Sequence, residues 1–100
     1  MADPHSLKST GARVVSAGTA VPFPAGESKE LIVRADPDNT GVCVIGGSDV
    51  VAASGTTRFG YPLRKNEGVT IRADRLNHIT VFVDSTVNDD KVIGFYVPIG

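Results

Sequence analysis

Glu30-Leu-Ile-Val-Arg-Ala-Asp-Pro-Asp-Asn-Thr-Gly-Val-Cys-Val-Ile-Gly-Gly47 is the stretch that decides the fold. It reads as strand, tight turn, strand. On an extended chain Leu31, Val33 and Ala35 point to one side, and Arg34 and Asp36 to the other. Ile32 breaks this alternation, which predicts that both faces of the strand are partly covered. After the turn, Val42 and Val44 share one face, and Cys43 and Ile45 share the opposite one. Pro37, Asp38, Asn39 and Gly41 between them fix or permit turn dihedrals.

Outward from this hairpin the same grammar repeats. Toward the N-terminus, Pro24 to Ser28 is a loop. Arg13–Ala17 and Ala20–Phe23 are short β-prone runs split by Gly18, and Pro22 and Pro24 place them at an edge or at a crossing between sheets. Residues 1–12 are polar and read as a flexible N-terminal arm. Toward the C-terminus, strands are expected over Asp49–Ala53, Arg58–Leu63, Val69–Asp74, His78–Asp84 and Lys91–Pro98, each bounded by Gly, Asn, Asp or Ser turns. Val69, Ile71 and Ala73 face inward, as do Ile79, Val81 and Val83. The last strand carries apolar residues on both sides, as one buried on both faces or lying under a neighbouring subunit does. No stretch holds a helical period. The fold expected is all-β: a single β-sandwich or jelly-roll-like barrel of about eight short, mostly antiparallel strands over residues 13–100.

The chain has 100 residues, a formal net charge of -1 and one cysteine. That length supports one domain with one modest core. The charge balance argues against a nucleic-acid binder that relies on a basic field, and a near-neutral surface associates readily. Cys43 can form no internal disulfide and reads as a small buried hydrophobe. Residues 1–11 lack an apolar run and no stretch approaches membrane-spanning length, so neither a leader nor a membrane partner is expected.

Bond-making chemistry is thin. His78, at a strand start, reads as structural. Ser85, His78 and Asp84 can be drawn as a triad, but no nucleophile elbow accompanies them. Gly46-Gly47-Ser48 lacks the Lys-Ser/Thr ending of a phosphate loop. Asp36 to Gly41 lacks the acidic spacing and closing Glu of a calcium loop and reads as an Asx-type turn. No catalytic residue, metal or cofactor is expected. Arg58, Arg64 and Lys65 form the one basic cluster, beside Phe59 and Tyr61. Gly60 to Leu63 and Phe95 to Ile99 offer more large side chains than a small sandwich buries, which points to association.

The motifs Leu-Ile-Val-Arg-Ala-Asp-Pro-Asp-Asn-Thr-Gly-Val-Cys-Val-Ile-Gly-Gly, Tyr-Pro-Leu-Arg-Lys-Asn-Glu-Gly-Val-Thr-Ile-Arg-Ala-Asp and Leu-Asn-His-Ile-Thr-Val-Phe-Val-Asp resemble, in this order, small all-β virion structural proteins of tailed bacteriophages. The resemblance spans about Ala20 to Pro98 and rests on packing and turn residues. It implies a non-enzymatic protein of the particle, first a capsid decoration (cement) protein. Such a protein is made in the host cytoplasm and bound on the capsid surface to the major capsid protein as a homotrimer. The alternatives are a head-fibre base, or a tail or fibre module binding a glycan or receptor through Phe59, Tyr61 and Tyr96. A small hydrolase using His78 is a distant third. Candidate contacts with shell or subunits are Pro4, His5 and Leu7 in the arm, Arg58, Phe59, Tyr61 and Arg64 in the aromatic-basic cluster, and Tyr96.

Overall fold

The computed structural model describes residues 6–53 and 57–99. It is all-β, with two antiparallel four-stranded sheets packed face to face. The strands are β1 (Lys8–Arg13), β2 (Val21–Pro22), β3 (Glu27–Ala35), β4 (Cys43–Gly46), β5 (Tyr61–Leu63), β6 (Gly68–Asn77), β7 (Phe82–Ser85) and β8 (Lys91–Tyr96). Sheet I runs β1-β8-β3-β6 and sheet II runs β2-β7-β4-β5. The core lies between them. Leu31, Val33, Ala35 and Val92 from sheet I meet Cys43, Ile45, Leu63 and Val83 from sheet II, and Val14, Phe23 and Val81 close the ends. Period-2 patterning puts these residues on the inner faces, and their burial supplies the main favourable energy of folding.

The stretch from Glu30 to Gly47 is not a hairpin. β3 belongs to sheet I and β4 to sheet II, so the turn between them is a crossing. Side chains of the turn and of the residue before β8 explain why. Asn39 substitutes for a strand partner: its Nδ2 donates to Lys91 O at 2.8 Å and its Oδ1 accepts from Lys91 N at 2.9 Å. Asp90 accepts from Thr40 N at 3.0 Å and Gly41 N at 2.8 Å. Asp36 closes an Asx turn on Asp38 N. These bonds carry the chain over the end of the core and satisfy backbone groups that a buried crossing would otherwise strand.

Other boundaries moved for local reasons. Lys8 to Arg13, the first five residues of which fall within the arm expected over 1–12, pair with β8 along their whole length. The β-prone run expected from Arg13 to Ala17 leaves the sheet after Arg13, and the chain turns at Gly18, the expected break, whose φ is +88°. Asp49–Ala53 makes a single bridge, Val51 to Phe59, and is no strand. β5 starts only at Tyr61, because Gly60 has φ +122° and a Cβ there would meet Val44 and Val50 at 2.6 and 2.7 Å. β6 runs on to Asn77 through a bulge opposite Ser28–Glu30, which leaves Ala73 outward. His78–Thr80 is a 3₁₀ turn capped by the Asn77 side chain, so Ile79 is exposed. At Gly94 in β8 a Cβ would collide with the carbonyl oxygen of Ile32, so the close approach of the two central strands requires glycine.

Candidate functional site: an uncovered sheet face

The outer faces of the two sheets carry apolar residues and are treated differently. On sheet II, Val44 points outward and is still fully buried. The β4–β5 connection folds back and lays Val50 and Ala52 over it, with Ala20, Val42 and Phe82 at the margin. Asp84, 2% exposed, ties this cover down. Its Oδ2 accepts from Ala52 N at 2.9 Å, and its Oδ1 accepts from Gly18 N at 3.0 Å and Ser85 N at 2.8 Å. A buried carboxylate is tolerable there because backbone donors surround it.

On sheet I no segment among the described residues lies over the outer face. Strand register sets the arrangement. Phe95 sits between Ser9 on β1 and Ile32 on β3, and Ile32 is followed by Thr70 on β6. Two residues along on one side the row is Gly11, Ile93, Arg34 and Gly68. On the other side Leu7, Val97 and Glu30 share a hollow with Phe95 and Ile32, and Glu30 is paired with Arg72. Leu7 is 66% exposed, Ile93 39%, Phe95 42% and Val97 42%. Phe95 and Ile32 stand between that hollow and a second one lined by Ser9, Arg34, Gly68, Thr70 and Ile93.

The candidate contacts read from sequence fall into separate places. Leu7 belongs to this face. Phe59, 60% exposed, and Tyr61, 54% exposed, stand at the β5 edge of sheet II, where Tyr61 and Arg64 line one hollow with Glu67. Arg58 is half-buried there, and its Nε donates to Ala52 O at 3.1 Å, so it straps the loop that covers Val44. Tyr96 turns to the inner side of β8 and meets the His78 ring edge-on, centroids 4.3 Å apart. Pro4 and His5 lie outside the described residues. Phe95 and Val97 fall within the run Phe95 to Ile99 that points to association, whereas Ile32 and Ile93 carry no such expectation. Their signal was present in the off-pattern Ile32 and in the two-sided apolar run of β8.

The reactive-looking groups are enclosed. His78 is fully buried, and its Nε2 lies 2.9 Å from Ser28 Oγ, itself fully buried. Its Nδ1 has no partner among the described residues. Burial pushes the imidazole pKa below the ordinary 6.5, against a weaker upward pull from Glu27. The set of Ser85, His78 and Asp84 is not assembled: His78 pairs with Ser28, Asp84 is occupied by backbone donors, and Ser85 Oγ lies 3.3 Å from Asp90 Oδ2. The Cys43 thiol is pushed up to about 11, first by burial and then by the Asp90 charge, so little thiolate exists at neutral pH. No group of three or more His, Cys, Asp or Glu side chains among the described residues could hold a metal ion, and no described helix is long and apolar enough to cross a membrane. No protein-family model matches the chain, and no curated protein or solved structure does so either.

Proposed function

We propose that this chain is a non-enzymatic structural protein of a tailed-bacteriophage virion, a decoration protein that binds the assembled head as an oligomer and stabilises it. The observation that carries the reading is the uncovered apolar face of sheet I, built by a chain that does cover the matching face of sheet II. The Ser28–His78 pair, closed to solvent, supports a role without bond-making. So does the strand order: β1, β3, β6 and β8 in one sheet and β2, β4, β5 and β7 in the other are compatible with a jelly-roll-like reading, an architecture recurrent in viral capsid and lectin domains. That last support is analogy at the level of fold. A protein that binds only the assembled lattice stabilises it by mass action.

The test uses heads purified from a phage lacking this gene. Added protein is expected to co-sediment with the heads and to raise the temperature at which they release DNA. Heads that neither bind it nor gain heat resistance overturn the reading. A second reading, a tail or fibre module that binds a glycan, is favoured by one observation: Phe59 and Tyr61 stand exposed together at the β5 edge, where rings can stack on sugars. Binding on a glycan array that is lost in Tyr61→Ala would select it.

A further inference from the structure

We infer that the outer face of sheet I pairs with the same face of a second copy, about a two-fold axis lying across the strands at the level of Phe95 and Ile32. The inference rests on the reading of this face as an association surface, and it commits to one occupant, a copy of this chain.

The argument is the symmetry of the face about that level. In an isologous contact, residue i meets j while j meets i. A two-fold axis in the plane between the faces, perpendicular to the strands, runs β3 antiparallel over its copy and β8 over its copy. Ile32 then faces Ile32, and Phe95 faces Phe95. Arg34, two residues to one side of Ile32, comes over Glu30, two residues to the other side, and the pair occurs twice. On β8, Ile93 comes over Val97 in the same way, apolar on apolar. Between β1 and its copy, Leu7 comes over Gly11, a large side chain over one with none. Arg34 and Glu30 of β3 thus meet as opposites, Lys29 stands at the rim of the hollow beside Glu30, and Ile93 of β8 meets the apolar Val97 that follows the strand. Sheets packed face to face keep their strands within about 30° of parallel or antiparallel, so these neighbours persist in a twisted pair.

The charges are available for this. Arg34 is exposed and has no ion-pair partner among the described residues. Glu30 meets Arg72 through Oε2 at 2.8 Å, with both side chains largely in water, and a carboxylate accepts from two guanidinium groups at once. The area also fits. Leu7, Ile32, Ile93, Phe95 and Val97 together leave roughly 400 Å² of apolar surface in water, the size of the largest, often functional, patch on a typical monomer. That is about half of the ~800 Å² that each partner buries in a standard interface. The polar residues around them supply the rim.

Sedimentation velocity on the full chain over a wide concentration range tests the pairing. The expected result is a monomer–dimer equilibrium, with Phe95→Asp monomeric throughout and its melting temperature near that of unassociated wild type. Glu30→Arg and Arg34→Glu, each alone, are expected to weaken self-association at least tenfold. Mixed in equal amounts, the two variants are expected to form a heterodimer close to wild type in affinity, because one then presents two cations and the other two carboxylates. A wild type that stays monomeric or forms trimers overturns the inference. So does an unchanged dimer in Phe95→Asp, which would place the contact elsewhere, or a mixture that does not recover. Head binding is measured separately, so a monomer that still binds heads sinks the pairing and leaves the decoration role standing.

Discussion

The two outer faces of the sandwich pose the same problem and receive opposite solutions. Each sheet turns apolar residues away from the core between the sheets: Val44 on sheet II, and Ile32, Ile93 and Phe95 on sheet I. Over Val44 the chain folds residues 47–53 and anchors them on the buried Asp84. Over Phe95 it folds nothing that is described. The chain therefore has the means to cover an apolar sheet face, which makes the bare one informative. A covered face contributes to the stability of one copy, whereas an uncovered one contributes only when something docks.

The contrast predicts that the largest effect comes from releasing the cover. Asp84→Ala removes the acceptor of three backbone N–H groups, each costing about 1–3 kcal/mol if left unpaired in the interior. We expect a loss of about 3 kcal/mol or more in urea denaturation. A loss below 1 kcal/mol would mean that the loop is held by other contacts. Next comes a matched pair of truncations. Val44→Ala, on the covered face, should cost about 1–2 kcal/mol through lost transfer energy and a residual cavity. Phe95→Ala removes more atoms but should cost under about 0.5 kcal/mol when measured at low protein concentration, because its ring already stands partly in water. Equal losses at the two sites would abolish the distinction between the faces.

The fold class was legible because alternation and turn residues are local signals. Leu31, Val33 and Ala35, Cys43 and Ile45, and Val83 all point where period 2 puts them. The sheet to which each strand belongs was not legible. The turn from Asp36 to Gly41 has the composition of a hairpin, and what makes it a crossing is Asn39 and Asp90 bonding around Lys91, about fifty residues away in sequence. β1 was hidden because Lys8–Arg13 is polar and small. It is a strand through its backbone pairing with β8 rather than through its own propensity. The uncovered face was half legible: the apolar residues of β8 showed two buried-looking sides, but which side lacked a cover depended on where the β4–β5 connection goes. Tyr96 reads as a surface residue because Phe95 to Ile99 hold more large side chains than a small sandwich buries, and nothing local announces the buried His78 against which it packs.

A smaller effect distinguishes the two sides of β8 itself. Tyr96 presses inward on His78 while Phe95 faces out. The His78 pKa lies below 6.5 in the folded chain, so beneath that pH the unfolded chain binds more protons than the folded one. Stability is then full above the unfolded value and declines as pH falls from about 6.5 toward the lower folded value. Thermal melting between pH 8 and 5.5 should show this decline in wild type and lose it in His78→Gln. Among the described residues the outer face has no such group, so the effect of Phe95→Ala should be the same at both ends of that range. A parallel decline in His78→Gln would assign the titration to another group.

The smallest effect is expected at the far edge of sheet I. There β6 carries its bulge, and Arg75 meets Glu27 at 2.8 Å with the two side chains 60% and 44% exposed. Water and salt screen such a pair, and ordering two long side chains offsets most of the attraction. Arg75→Ala should therefore change stability by under about 0.5 kcal/mol at physiological salt. A bulged, charged edge resists strand addition by its shape and its solvation, and neither depends on this one ion pair. A loss above 1 kcal/mol, or the appearance of higher oligomers in Arg75→Ala, would show instead that the pair holds the bulge in place. It would also make the β6 edge, rather than the bare face beside it, the surface on which association turns.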